Sequence, residues 1–289
     1  DQQLKQIKIL LLINSILFIA LILYSVNDQG MNKGYGTIWE TLRGDIYRVP
    51  RNAIQICCLT GSGFQVLFTI FFASLFTYYS FVELIERIIN ILPWCGIFCG
   101  FVSIRILKFI GRYHWLSVYR ATLTALPSFY ILIFSAKVFL HYFNSSVILP
   151  TNRTFLHVIY LLIVNCAMVS LGFYIGIKIY SNGPPVGVGS TPRKLHRPPF
   201  YMKSNLMKMC GGLFVYANIW KTIDFIYLSV INVSPYESSL SSSFYFLLLF
   251  IVVSAEVAIF YVYLQARHEN FKWWWTSFIV PAFAFAYHL

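Results

Sequence analysis

Charge is what this sequence has least of. Of its 289 residues, 11% are charged and only 10 are Asp or Glu. Soluble domains carry roughly a quarter charged residues. With 58% hydrophobic residues, a water-facing fold would have more apolar surface than it could hide. Familiar catalytic patterns are missing as well. There is no H-E-x-x-H or G-x-S-x-G, His268–Glu269 lacks a second His, and the six His are scattered along the chain. An intramembrane protease would need two acids on facing helices. Asp224 and Glu256 are the candidates, and neither stands in a recognisable motif. The stretch 183–190, GPPVGVGS, lacks the Gly-Lys-Ser/Thr ending of a phosphate loop and reads as a flexible linker. The six cysteines, Cys57, Cys58, Cys95, Cys99, Cys166 and Cys210, lie in or beside apolar runs. Cys95 and Cys99 share a helical face, but a zinc site needs more ligands at one depth, so all six read as small core residues. The chain is expected to be no enzyme and to need neither metal nor cofactor.

What the sequence has is long oily runs. A bilayer core of roughly 30 Å takes about 20 apolar residues. Eight runs meet or approach that length: Ile7–Val26, Ile54–Tyr79, Ile88–Leu107, Tyr119–His141, Phe155–Tyr180, Met209–Ile231, Phe244–Gln265, and a shorter one from Trp273. They are continuous rather than alternating, which favours helices over a membrane barrel. The expected fold is therefore all-α, a polytopic transmembrane helix bundle of about eight spans in one multi-span domain, 1–289. Pro93, Pro127 and Pro281 fall inside spans, where neighbours must satisfy the carbonyls they free. The chain starts at Asp1 and stops within an apolar run, so we expect a cut from a longer protein.

Basic residues set the orientation. With the first residue on the lumenal side, the cytosolic loops 27–53, 108–118, 181–208 and 266–272 and the adjoining span ends hold 16 of the 22 Lys and Arg. The opposite side holds Lys5, Lys8, Arg87 and Arg153, and Lys137 and Lys221 lie within spans. The sequons at Asn144, Asn152 and Asn232 fall in or at the lumenal loops 142–154 and 232–243, where glycosylation is available. The third lumenal loop is 80–87. A net charge of +12 then reads as positive-inside bias rather than a nucleic-acid surface. The basic stretch 193–208 suits either that bias or anionic lipid headgroups.

Intramembrane charges are costly and mark function. Lys221 and Asp224 stand three apart in the sixth run, where they can pair with each other. Glu256 in the seventh has no partner on its own helix. Small residues at helical spacing, GIFCG (Gly96, Gly100), GFYIG (Gly172, Gly176) and Gly61-Ser-Gly63, allow close backbone approach. That serves either packing within the chain or recognition of another protein's helix.

Several strings, in order, resemble the nonaspanins, the transmembrane 9 superfamily: Gly44-Asp-Ile-Tyr-Arg48, Gly61-Ser-Gly-Phe-Gln65, Gly100-Phe-Val-Ser103 with Arg105, Gly211-Gly212, Ala255-Glu256 with Tyr263-Leu-Gln265, and Glu269-Asn-Phe-Lys-Trp-Trp-Trp-Thr-Ser-Phe278. Trp273, Trp274 and Trp275 suit an interfacial anchor. The resemblance implies nine spans in a complete protein of Golgi or endosomal membranes that sorts and transports other membrane proteins. The stretch after Gly212 and that around Thr222 depart from the family pattern, and the family's large lumenal domain and ninth span are expected to lie outside this sequence. We expect client transmembrane helices as partners, beside the bilayer itself, with Gly61, Gly63, Gln65, Glu256 and Gln265 on the polar, close-packed recognition face. The alternative is a transporter or channel with Lys221, Asp224 and Glu256 as its ion or proton path.

Overall fold

A computed structural model of the chain describes residues 44–76, 87–111, 114–125, 152–180, 204–231, 238–267 and 270–287, with isolated positions between 5 and 23 and between 183 and 188. Every regular element among the described residues is helical. They belong to two compact units, one of 51–77 and 82–185, the other of 1–50, 78–81 and 186–289.

The first unit is built on three helices: α1 (Ala53–Phe76), α2 (Gly96–Ile110) and α3 (Asn152–Lys178). Asn52, just before α1, has φ 59°, a left-handed value that Asn tolerates better than bulky residues. Its carbonyl accepts the Gln55 amide at 3.0 Å. α2 ends on Gly111 with φ 76°, whose N–H returns to the carbonyls of Leu107 and Lys108. Glycine takes that conformation without a Cβ penalty. α1 and α2 are antiparallel, with Phe68 stacked on Phe98 at 4.1 Å between ring centroids. α2 and α3 run parallel: Gly96 lies by Asn165, Gly100 by Val169, and Gly176 by Ile104. A helical stretch at 115–125 also meets α3, where Tyr119 bonds Ser170 at 2.8 Å.

The carboxyl end of α3 is capped by cations from α2. Lys108 Nζ donates to Gly176 O and Ile179 O at 3.0 Å each, and Arg105 Nη1 donates to Tyr180 O at 3.0 Å. Positive charge at a helix C-terminus satisfies orphan carbonyls and opposes the negative end of the helix dipole.

The second unit contains α4 (Ser204–Ile231), α5 (Ser238–Arg267), α6 (Trp273–Ala282) and a 3-10 turn Phe283–Tyr287. Val215, Ile219, Leu249, Val253, Val257, Val280 and Ala284 form its core. The α5 positions recur at four-residue steps, the spacing of one helical face. The Asn14 amide donates to Asn218 Oδ1 at 3.0 Å.

Three described helices are long and apolar enough to cross a bilayer: Ala53–Leu75, Val158–Lys178 and Leu247–Ala266, of 23, 21 and 20 residues. At 1.5 Å per residue each spans ~30 Å or more. Their large outward side chains, Leu75, Ile163 and Ile259 among them, are exposed, as lipid contact allows. The span edges differ from the sequence expectation. α5 starts at Ser238, inside the expected loop 232–243, α3 starts at Asn152, and α4 starts at Ser204. These helices begin in polar turns ahead of their apolar stretches, because a helix keeps its backbone bonded at the interface as well. The expected run Ile88–Leu107 is interrupted: helical residues 87–91 precede a turn over 92–95, and α2 begins only at Gly96.

Candidate functional site: the intramembrane polar positions

The interruption explains Gln65. Pro93 has no N–H and disrupts the helix. In an unbroken helix Gly96 N–H would serve Leu92 O, but here it goes to Pro93 O at 3.1 Å. The freed Leu92 carbonyl needs a donor, since lipid supplies none. Gln65, one face inward on α1, provides it: Nε2 donates to Leu92 O at 2.7 Å and to Asn165 Oδ1 on α3 at 2.8 Å. Gln65 and Asn165 are both 0% exposed. One amide thus ties together α1, the break and α3.

Glycines let these helices come so close. A Cβ on Gly61 would strike Ser103 Oγ and lie 2.7 Å from Cys99 O. Ser103 in turn donates to Cys57 O at 3.1 Å. A Cβ on Gly100 would strike Val169 O and lie 2.8 Å from Phe173 N, and one on Gly172 would strike Ile97 O. Gly176 faces Ile104 and Gly96 faces Asn165. The two G-x-x-x-G strings therefore face one another across α2 and α3. They pack this chain on itself, one of the two readings open from sequence. Gly63 differs: it is exposed, with nothing within 4 Å of its Cβ position.

In the second unit, Gly211 and Gly212 do the same work. Their Cβ positions collide with Val280 and Phe283, so the double glycine seats α6 and the following turn on α4. Tyr287 OH closes this junction on Met209 O at 3.0 Å. Gln265 is buried at the end of α5 and donates Nε2 to Thr276 Oγ1 on α6 at 2.8 Å. Trp273 Nε1 donates to Ile46 O at 3.0 Å. Ile46 packs on Ala266 and Phe271, and Arg48 pairs with Asp45 at 2.6 Å while its guanidinium lies 5.7 Å from the Phe271 ring centroid. Glu256 sits at the middle of the α5 span, beside Val253 and Val257. It is half-buried and has no hydrogen-bond or ion-pair partner among the described residues.

The sequence model of the family described as endomembrane protein 70 matches residues 4–289. The chain belongs to that family, the transmembrane 9 superfamily. Transmembrane 9 superfamily member 11 of Arabidopsis thaliana is 30% identical over 253 residues, 83% of this chain and 38% of the relative. Member 8 of the same plant is 24% identical over 250 residues, 84% of this chain and 38% of the relative. Member 4 of Homo sapiens is 24% identical over 249 residues, 84% and 39% respectively. The chain thus spans about two fifths of the length of these relatives. No solved structure matches it.

As a transmembrane 9 protein, the chain uses most of its recognised strings as joints. Of the five expected recognition positions, Gly61, Gln65 and Gln265 are buried against this chain's own residues, while Gly63 and Glu256 keep open surface. The tryptophans divide similarly: Trp273 clamps the Gly44–Arg48 string, Trp273 and Trp274 stack at 4.3 Å, and Trp275 meets Phe278 edge-on. Asn165 and Thr276 were not singled out from sequence. Asn165 had a signal, an amide amid an apolar run; Thr276 had none, since a lone Thr in a span ordinarily bonds its own helix. Of the six cysteines, Cys57, Cys58, Cys95 and Cys99 are buried and none forms a disulfide. Among the described residues no group of three His, Cys, Asp or Glu gathers to hold a metal. Lys221 and Asp224 lie on α4, but their side chains fall outside the described residues, as do that of Asn152 and all of Asn144, Asn232 and the stretch 193–203.

Proposed function

We propose that this transmembrane 9 chain is the membrane-embedded part of a Golgi or endosomal protein that sorts other membrane proteins by binding their transmembrane helices. The observation that carries this is Glu256. A carboxyl group at the centre of a span costs about 2.5–3.5 kcal/mol when inserted alone. Here it stands half-buried on a span whose most apolar 18-residue stretch is only 17% buried, without a partner among the described residues. Such a group gains most from a donor brought by an incoming helix, because a hydrogen bond made in lipid replaces no bond to water. In contrast, the glycine pairs on α2 and α3 are already occupied, so they hold the scaffold rather than the client. The cytosolic basic loops and lumenal sequons orient that scaffold.

The test is photocrosslinking within the bilayer from a probe placed on α5, in cells making the intact protein, with wild type against Glu256→Ala. Loss of captured clients at unchanged protein abundance supports the reading. Undiminished capture refutes it at this residue. Ion flux in reconstituted liposomes, abolished by the same substitution, would favour the transport path through Lys221, Asp224 and Glu256 instead.

A further inference from the structure

The cations at the carboxyl end of α3 carry charge that their own unit does not balance. Lys108 Nζ and Arg105 Nη1 share one oxygen, Ile179 O, at 3.0 and 3.5 Å. Two like charges thus converge on a single atom, and neither has a carboxylate partner among the described residues. The sequence explains why. The unit of 51–77 and 82–185 holds only two acids, Glu83 and Glu86, and both lie ahead of the third run, at the opposite end from Arg105 and Lys108. Carbonyls at a helix end offset about half a charge, so a positive surplus is left. The donors divide unequally. Lys108 spends its three hydrogens on Gly176 O, Ile177 O and Ile179 O. Arg105 uses Nη1 alone, on Ile179 O and Tyr180 O. Those bonds hold the guanidinium in place and leave its Nε and Nη2 hydrogens unspent among the described residues.

We propose that this end of α2 and α3 binds the phosphate of an anionic phospholipid, with Arg105 Nε and Nη2 as its paired donors and Lys108 as the second charge. A guanidinium edge matches two phosphate oxygens, which an ammonium cannot do. The occupant is a lipid because of where the pair stands. The apolar span of α3 ends at Lys178, and the carbonyls that hold Arg105 and Lys108 are those of residues 176–180, so the two cations lie at the edge of the hydrocarbon. Ile177, Ile179 and Tyr180 beside them are exposed, an apolar rim that acyl chains cover and a soluble anion leaves in water. The orientation expected from the basic loops puts this end in the cytosolic leaflet, where anionic lipid is concentrated.

Electron paramagnetic resonance of spin-labelled lipids beside the purified protein in phosphatidylcholine bilayers tests this. Wild type should hold spin-labelled phosphatidylserine in preference to spin-labelled phosphatidylcholine. One basic residue near the surface is worth about fivefold in anionic-lipid affinity, and Arg105→Gln should lower the preference by about that factor. Lys178→Gln is the control. It removes the same charge from the far side of α3, roughly 200° round the helix from Gly176, which faces α2, and it should change little. Equal loss in both variants, or none in Arg105→Gln, overturns the proposal. Excess inorganic phosphate should leave the lipid bound; its release would make this a site for free anions and refute the lipid. If Arg105→Gln does not fold, Arg105→Lys decides, since it keeps the charge without the paired donors. Its preference should also fall below wild type, and an undiminished value overturns the assignment.

Discussion

Adding one methyl group at Gly100 should loosen the chain where α2 meets α3, and the effect can be worked from the backbone. The new Cβ would collide with Val169 O and stand 2.8 Å from Phe173 N. Both obstacles are main-chain atoms of a regular helix, so neither can swing aside. The helices must separate, and the neighbouring contact of Gly172 on Ile97 O opens with them. Overpacking of this kind costs ~1–3 kcal/mol, and unyielding backbone puts the site at the upper end. Alanine returns up to ~1 kcal/mol through better helix propensity, leaving a net destabilisation of about 2 kcal/mol, more than tenfold in the unfolding equilibrium. Gly63→Ala is the control. It has the same propensity gain and nothing within 4 Å, so it should be neutral or slightly stabilising. Reversible unfolding of both variants in bicelles measures the difference. If Gly100→Ala and Gly63→Ala unfold together, the close approach of α2 and α3 is wrong, and with it the assignment of the glycine strings to internal packing.

Two further outcomes follow from the second unit and from the thiols. Trp273→Phe keeps an aromatic ring, smaller than the indole, and removes the N–H that reaches Ile46 O at 3.0 Å. It should weaken the hold on the 45–48 turn by ~1 kcal/mol and speed amide exchange there, with global stability little changed; unaltered exchange would show that the indole bond contributes nothing. A membrane-permeant thiol reagent should modify the exposed Cys210 in intact bilayers, and Cys57, Cys58, Cys95 and Cys99 only after denaturation. Equal labelling of Cys57 and Cys210 in the native protein would contradict the packing around α1.

The helical class was legible because lipid leaves the backbone no partner but itself. A run such as Phe244–Gln265 has to be helix, and α5 is one. Where apolar length alone was the guide, edges drifted, since the polar first turns before Phe244 and Met209 carry no hydropathy signal. The recognised strings drew attention to residues without showing what those residues touch. Gln65 looked like a recognition residue and is the donor that repairs a proline break. Its partners Leu92 and Asn165 lie 27 and 100 positions away, and no local pattern encodes such a distance.

By itself the sequence determined that this chain lives in a membrane, is built of helices, and belongs with the transmembrane 9 proteins, because composition and motif order survive without coordinates. Only the tertiary structure decided which glycines are already filled by a neighbour, which amide serves the break, and which carboxyl remains half-open. Those answers depend on atoms meeting within a few ångströms from helices far apart in the chain. That geometry is fixed by packing, not by spacing along the polypeptide.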